Sequence, residues 1–290
     1  MTARTPDFKA RAAEAHARLG PEGAARLLAA GHAWDLAPTL RAGGALLFPH
    51  VGVEKCGHQI GAAVHACLDC GADTVLVLGV LHALTDELEE ARVRVADGGD
   101  VAVERAWGIE GPGLGGRLDW EHEFSLSHFL WLWENETARR GIAPPRMIVR
   151  YPYLAGGRPG DLPGIKELEA AAKEAAVVAT GDLFHHGVGY GDSETEALAP
   201  DEGGLDLARE RITRGLDILA RGDYWGYNSH SVTAKSDARD VGQVLRHLIG
   251  PFEARILDIV TDDMSGAYGQ PEPTWVAGAL TEFVPVGSDR

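Results

Sequence analysis

The chain has 290 residues, 45% of them hydrophobic and 24% charged, with a formal charge of -16 at pH 7. That length can bury a substantial core, as one large domain or two small ones. The acidic balance argues against nucleic acid, whose partners carry basic patches to replace phosphate counterions, and against a phosphate-rich membrane surface.

No apolar run approaches the roughly 20 residues that span a bilayer. Met1 to Gly20 is helix-like and charged, without the apolar centre of a secretory signal. Cys56, Cys67 and Cys70 are a sparse, odd set with no disulfide framework, which fits a reducing compartment. The expected location is the cytoplasm.

In chain order, residues 5 to 30 read as one or two amphipathic helices, with Pro21 marking a restart. The segment 1–40 is expected to pack as helix on the rest. Ala45 to Phe48 reads as a buried strand, Gln59 to Leu68 as a helix carrying Ile60, Val64, His65 and Cys67, and Thr74 to Leu78 as a second buried strand. Such a β-α-β unit crosses over right-handed and puts both strand ends on one edge. Between Asp86 and Asp119, Ala91 to Ala96 and Val101 to Val103 alternate like short strands. Gly111 to Gly116 matches G-x-G-x-x-G in form. No strand is expected before it and Pro112 lies inside it, so a dinucleotide site is not expected.

Phe124 to Arg140 reads as a helix, its aromatic residues Phe129, Trp131 and Trp133 packing on the sheet. Met147 to Val149 is a strand, Leu162 to Lys173 a helix and Ala176 to Thr180 a third buried strand. The polar stretch Val188 to Gly203 reads as a mobile surface loop. Helices are expected over Leu205 to Ala220 and Asp237 to Leu248, and late strands over Ile256 to Ile259 and Phe283 to Val286. There is no internal repeat and no linker long enough to divide the chain. The expected fold is one α/β domain over 1–290, a mixed and mostly parallel sheet covered by helices.

His50, His82 and the group Asp182, His185 and His186 each follow a predicted strand within a few residues. Ligands of open α/β sheets bind outside the carboxyl ends of the strands. If the three strands are neighbours, these side chains meet there. Imidazole suits zinc, copper or iron, and two histidines with one carboxylate is the pattern of non-haem Fe(II) oxygenases. A lone histidine after a strand is more often an ordinary loop residue; three such places make coincidence less attractive. His185 is expected to face inward and His186 outward. His16, His32, His58, His65 and His247 receive no role. Cys67-Leu68-Asp69-Cys70 is C-x-x-C at the wrong end of a helix for a reactive thiol and without a second pair for structural zinc, so it is read as packing.

Several of these stretches resemble the Memo-like family, relatives of the class III extradiol (LigB-type) ring-cleaving dioxygenases. Pro49-His50-Val51-Gly52 with Cys56-Gly57 is similar to the family's PHAGY...CG opening, and Leu78-Gly79-Val80-Leu81-His82 to its LGPSH segment. Gly181 to His185 resembles SSDxxH, and Ala277 to Leu280 matches AGAL. The resemblance runs from about residue 44 to 284 in order. It implies metal ligation by the residues matching His50 and His82, with His185 as acid/base in the same site. In the family the last ligand is a glutamate or a cysteine. Here Ser236 falls at the cysteine position, and Asp237 beside it restores two histidines and a carboxylate; Asp240 and His230 are the alternatives. Asp182 is expected to orient a nearby histidine. An early GSWY segment is not evident, and Trp120 to Ser125 matches the family's EHS segment imperfectly.

The expected function is a non-haem dioxygenase, with Fe(II) the leading metal and zinc or copper alternatives. The substrates would be O2 and a catechol- or aminophenol-like aromatic; Trp120, Tyr190, Trp225 and Tyr227 are candidate pocket residues, for which core or surface packing is an equal explanation. Other metal-dependent oxidation or hydrolysis and a non-enzymatic binding role are the competing expectations. A homo-oligomer is compatible with the sequence.

Overall fold

The structure, a computed structural model, describes residues 7–82, 90, 94, 108–114, 122–153 and 155–287. The strands expected within 91–96 and 101–103 lie outside these residues, Arg94 excepted, as do Trp120 and the last two glycines of the 111–116 loop. The chain opens with α1 (Phe8–Gly31) and α2 (Ala37–Arg41), followed by β1 (Ala45–Phe48), α3 (Val53–Asp69), β2 (Thr74–Leu78) and β3 (Gly108–Glu110). It continues with α4 (Ser127–Arg140), β4 (Arg146–Tyr153), α5 (Ile165–Ala172), β5 (Ala176–Thr180) and β6 (Phe184–Gly187). The last part holds α6 (Glu202–Ala220), α7 (Tyr224–Thr233), α8 (Arg239–Ile249), β7 (Phe252–Asp263), α9 (Ser265–Tyr268) and β8 (Thr274–Pro285).

These strands form one mixed sheet in the order β3-β4-β2-β5-β1-β8-β6, with β7 on the far side of β8. The pairs β4/β2, β2/β5 and β5/β1 are parallel, whereas β8 runs against β1, β6 and β7, and β3 runs against β4. All strands but β3 and β8 therefore point the same way. Helices cover both faces, as the sequence pattern leads one to expect of an α/β domain.

The apolar runs in β1, β2 and β5 conceal a period-two division of labour. Leu46, Phe48, Val75, Val77 and Val178 face the layer containing α1, α3 and α4. Ala45, Leu47, Leu76, Leu78, Val177 and Ala179 face the layer containing α5, α6 and α8. Successive side chains alternate between faces, and here both faces are buried. Because β2, β5 and β1 are adjacent and parallel, the turns after them emerge side by side. Those turns carry His82, Asp182 and His50.

Several elements depart from expectation in instructive ways. α1 is two helical stretches merged across Gly20 (φ 59°, ψ -172°), with Pro21 restarting the second. The Val188 to Gly203 segment begins with a short 3-10 turn over Val188–Tyr190 and is tied down at Asp192, which accepts the Gly187 N–H at 2.7 Å. A strand does precede Gly111, namely β3, but it is antiparallel to its neighbour rather than the opening of a parallel β-α unit. β6 and α7 were not legible, since Phe-His-His-Gly lacks apolar alternation and α7 buries only Tyr227 and Ser231. The late strands are each 12 residues long and pair along their length. Among the described residues no helix is long and apolar enough to cross a membrane.

Candidate metal centre

His50, His82, Asp182, His185 and Asp237 converge at the carboxyl edge of the sheet. The Asp237 carboxylate is the hub. Its Oδ2 lies 3.2 Å from His50 Nε2, 3.7 Å from His82 Nε2 and 3.9 Å from His185 Nε2. Asp182 Oδ2 stands 3.5 Å from His50 Nε2. Two overlapping sets, His50/His82/Asp237 and Asp182/His185/Asp237, each bring three donor atoms within 4.8 Å of one another, close enough to share a metal ion.

Local structure fixes each donor. The Thr180 hydroxyl, at the end of β5, donates to Phe48 O at 3.0 Å, so its lone pair accepts His50 Nδ1–H at 3.2 Å. That fixes the neutral His50 tautomer and leaves the Nε2 lone pair directed at the cluster. Asp182 Oδ1 accepts the His50 N–H at 3.1 Å and so anchors the turn after β1. Glu123 does the same for the turn after β2, accepting His82 N–H on Oε2 at 2.7 Å, with its Oε1 3.6 Å from His82 Nδ1. Asp237 is held by a reciprocal pair: its Oδ1 accepts Asp182 N–H at 2.7 Å, and its own N–H reaches Asp182 O at 3.3 Å. In β8, a Cβ on Gly278 would stand 2.1 Å from Pro49 Cβ and 3.1 Å from Asp182 Oδ1. Only glycine lets that strand pass so close to Pro49 and Asp182.

Strand alternation in β6 separates the adjacent histidines. His185 lines the cleft above the cluster. His186 points the other way, its Nδ1 3.0 Å from Asp192 and its Nε2 accepting Leu198 N–H at 2.9 Å. Ser236 turns its hydroxyl to Asp182 O at 3.0 Å rather than into the cluster. Asp240 accepts Ala155 N–H at 2.9 Å, and His230 bonds Arg211 O at 2.9 Å, so neither joins the other donors. Of the aromatic candidates, Tyr190 lines the cleft, Tyr227 is buried in the layer of α6 and α8, and Trp225 is exposed.

The electrostatics favour a positive charge among these rings. Burial alone would lower the His50 pKa, but Asp182 and Asp237 raise it. Burial also works against charge on His82, yet Asp237 and Glu123 push that ring up to about 10. For Asp237 the penalty of burial is overcome by His50, His82 and His185, which drive its pKa well below the usual carboxylate range. Burial raises Asp182 and lowers His185, so His185 favours its neutral, basic form. A divalent cation supplies the same positive charge and displaces the ring protons, so this donor set fits a metal.

No family model matches the chain, and no curated protein matches it. What the site can do therefore follows from its donors and its cleft. The cleft holds about 840 Å³ and runs from the donors to the first turns of α1, past Phe8, Phe124, His128 and Tyr268. That volume lies within the roughly 300–1,000 Å³ of small-molecule sites. His128 Nδ1 meets His16 Nε2 at 2.8 Å, and burial holds the His128 pKa down at about 3. Sequence reasoning missed Thr180, Phe8, His128 and Tyr268. Glu123 and Phe124 lie inside the imperfect EHS-like match, which is the one signal that marked them.

Proposed function

We propose that the chain is a non-haem Fe(II)-dependent dioxygenase acting on a catechol- or aminophenol-like aromatic. The observation that carries this reading is the convergence of His50 Nε2, His82 Nε2 and Asp237 Oδ2 beneath a cleft of small-molecule size. Two imidazoles and one carboxylate on one side of a site are the donors that non-haem Fe(II) oxygenases use. His50, His82 and Asp237 would hold the ion. When bound, Fe(II) supplies the redox chemistry that lets O2 react with an aromatic ring.

The protein's own groups then divide the remaining work. His185 takes a proton from a substrate hydroxyl at Nε2 and later returns it; burial lowers its pKa and so leaves the ring unprotonated, with a lone pair free for that proton. Asp182 does not touch the reacting atoms in this scheme. It fixes His50 through the backbone and Asp237 through the reciprocal bonds described above. Glu123 plays the corresponding part for His82.

The test is anaerobic reconstitution with Fe(II), addition of catechols and aminophenols, and measurement of O2 uptake on admitting oxygen. Uptake coupled to ring-opened product is expected. Stoichiometric iron with no uptake for any of these compounds overturns ring cleavage. Zinc in the isolated protein, with no response to iron, moves the reading to metal-assisted hydrolysis.

A further inference from the structure

Six aromatic rings form a continuous arch over the donor cluster. One foot is His82, 4.3 Å from the Phe124 ring; Phe124 is 5.1 Å from Phe8, and Phe8 is 5.5 Å from Tyr268. Tyr268 is 5.6 Å from Tyr190, and Tyr190 is 4.8 Å from His185, the other foot. Below, Asp237 Oδ2 joins the two feet at 3.7 Å and 3.9 Å. All six rings line the same cleft.

Ordinary core packing does not account for this arrangement. The core rings Phe129 and Phe283 are sealed from solvent. Phe8, Phe124, Tyr190 and Tyr268 are each only partly buried, so they leave aromatic surface facing the cleft. Such surface is favourably covered by another flat ring, which offset or edge-on contacts accommodate at centroid separations of roughly 4.5–7 Å. The four rings between the histidine feet are uncharged and meet a ligand by shape, while Arg11, Arg18 and Asp7 line other parts of the same cleft.

Phe8 is the crown, touching one wall through Phe124 and the other through Tyr268. It is placed by the first turn of α1, which Asp7 caps by accepting Ala10 N–H at 2.9 Å. We propose that Phe8 is a specificity-determining residue that closes the arch over a single-ring ligand and excludes ligands with a second ring on that side. The proposal rests on the aromatic-substrate reading above and adds a size limit set from the far end of the chain.

The experiment uses metal-loaded protein and equilibrium binding rather than turnover. The probes are 4-nitrocatechol, followed by its visible absorbance, and a phenyl-substituted catechol as competitor. Wild type is expected to prefer the single-ring probe. Phe8→Ala should weaken 4-nitrocatechol by about three- to tenfold, the worth of one aromatic pair, and abolish most of the preference. Phe8→Leu should fall between, and metal content should not change in either variant. An unchanged preference in both variants, with metal retained, overturns the proposal. A wild-type protein that takes up metal but neither catechol instead overturns the aromatic-substrate reading, and the size limit with it.

Discussion

Asp237→Asn is the most informative single change, because it keeps the size of the side chain and removes its charge together with the oxygen that faces the rings. The amide keeps the size of the side chain, and its oxygen can still accept Asp182 N–H, a 2.7 Å bond in the native site. What disappears is the negative charge whose Oδ2 lies 3.2, 3.7 and 3.9 Å from three imidazole nitrogens. One unit-charge pair at about 4 Å, with an effective dielectric of about 20, is worth on the order of 4 kcal/mol. At about 1.4 kcal/mol per decade, that is roughly a thousandfold in affinity. Chelator-competition titrations with Fe(II) and Zn(II) should show a loss of this order, with the far-ultraviolet circular dichroism unchanged. An Asp237→Asn protein that binds either metal within about tenfold of wild type refutes the hub role, since the lost charge alone exceeds that margin.

Three further outcomes are expected. Glu123→Gln should weaken metal binding by about 10–100-fold, the usual cost of losing a carboxylate that orients a ligand histidine, as read by the same titration. Ser236→Ala should leave metal stoichiometry intact and cost only about 1 kcal/mol in denaturant unfolding, because its hydroxyl bonds backbone rather than the cluster. Stability of the metal-free protein should decline with acid in two stages, seen as melting temperature against pH. His128 has its pKa pushed by burial from the ordinary 6.5 to about 3, so the unfolded chain takes up its proton first and stability falls as pH drops from 6.5 toward 3. Burial would raise Glu136, but hydrogen bonds from Arg139 and Arg140 hold it at about 2. Its contribution is therefore full above the ordinary 4.5 and is lost as pH falls toward 2. Glu136→Gln should diminish the lower stage only, to which Glu123 and Asp237 also contribute, and His128→Gln the upper one, which it shares with other buried histidines such as His65.

The parallel core was legible because continuous apolar runs of four or five residues, each ended by a polar turn, have few alternatives to buried strands. Ala45 to Phe48, Thr74 to Leu78 and Ala176 to Thr180 all form as read. Their adjacency could not be read from pattern, yet adjacency is what brings His50, His82 and Asp182 together. Asp237 was nameable only through the resemblance that singled out its neighbour Ser236, and the turn of Ser236 toward Asp182 O depends on a three-dimensional contact between loops 54 residues apart. Glu123 and Thr180 act through backbone and hydroxyl bonds, which leave no periodic trace. Phe8 was hidden more deeply. It is one apolar residue on an amphipathic helix, and its contacts come from 116 and 260 residues further along the chain, at Phe124 and Tyr268.

The central claim is that His50, His82 and Asp237 hold one metal ion at the carboxyl edge of the sheet. An anomalous-difference map from crystals grown with Fe(II) under anaerobic conditions tests it most directly, with data on both sides of the iron absorption edge. One peak is expected, bonded to His50 Nε2, His82 Nε2 and the Asp237 carboxylate. Iron-soaked crystals with no peak there, or with the metal at His186 and Asp192 instead, contradict it.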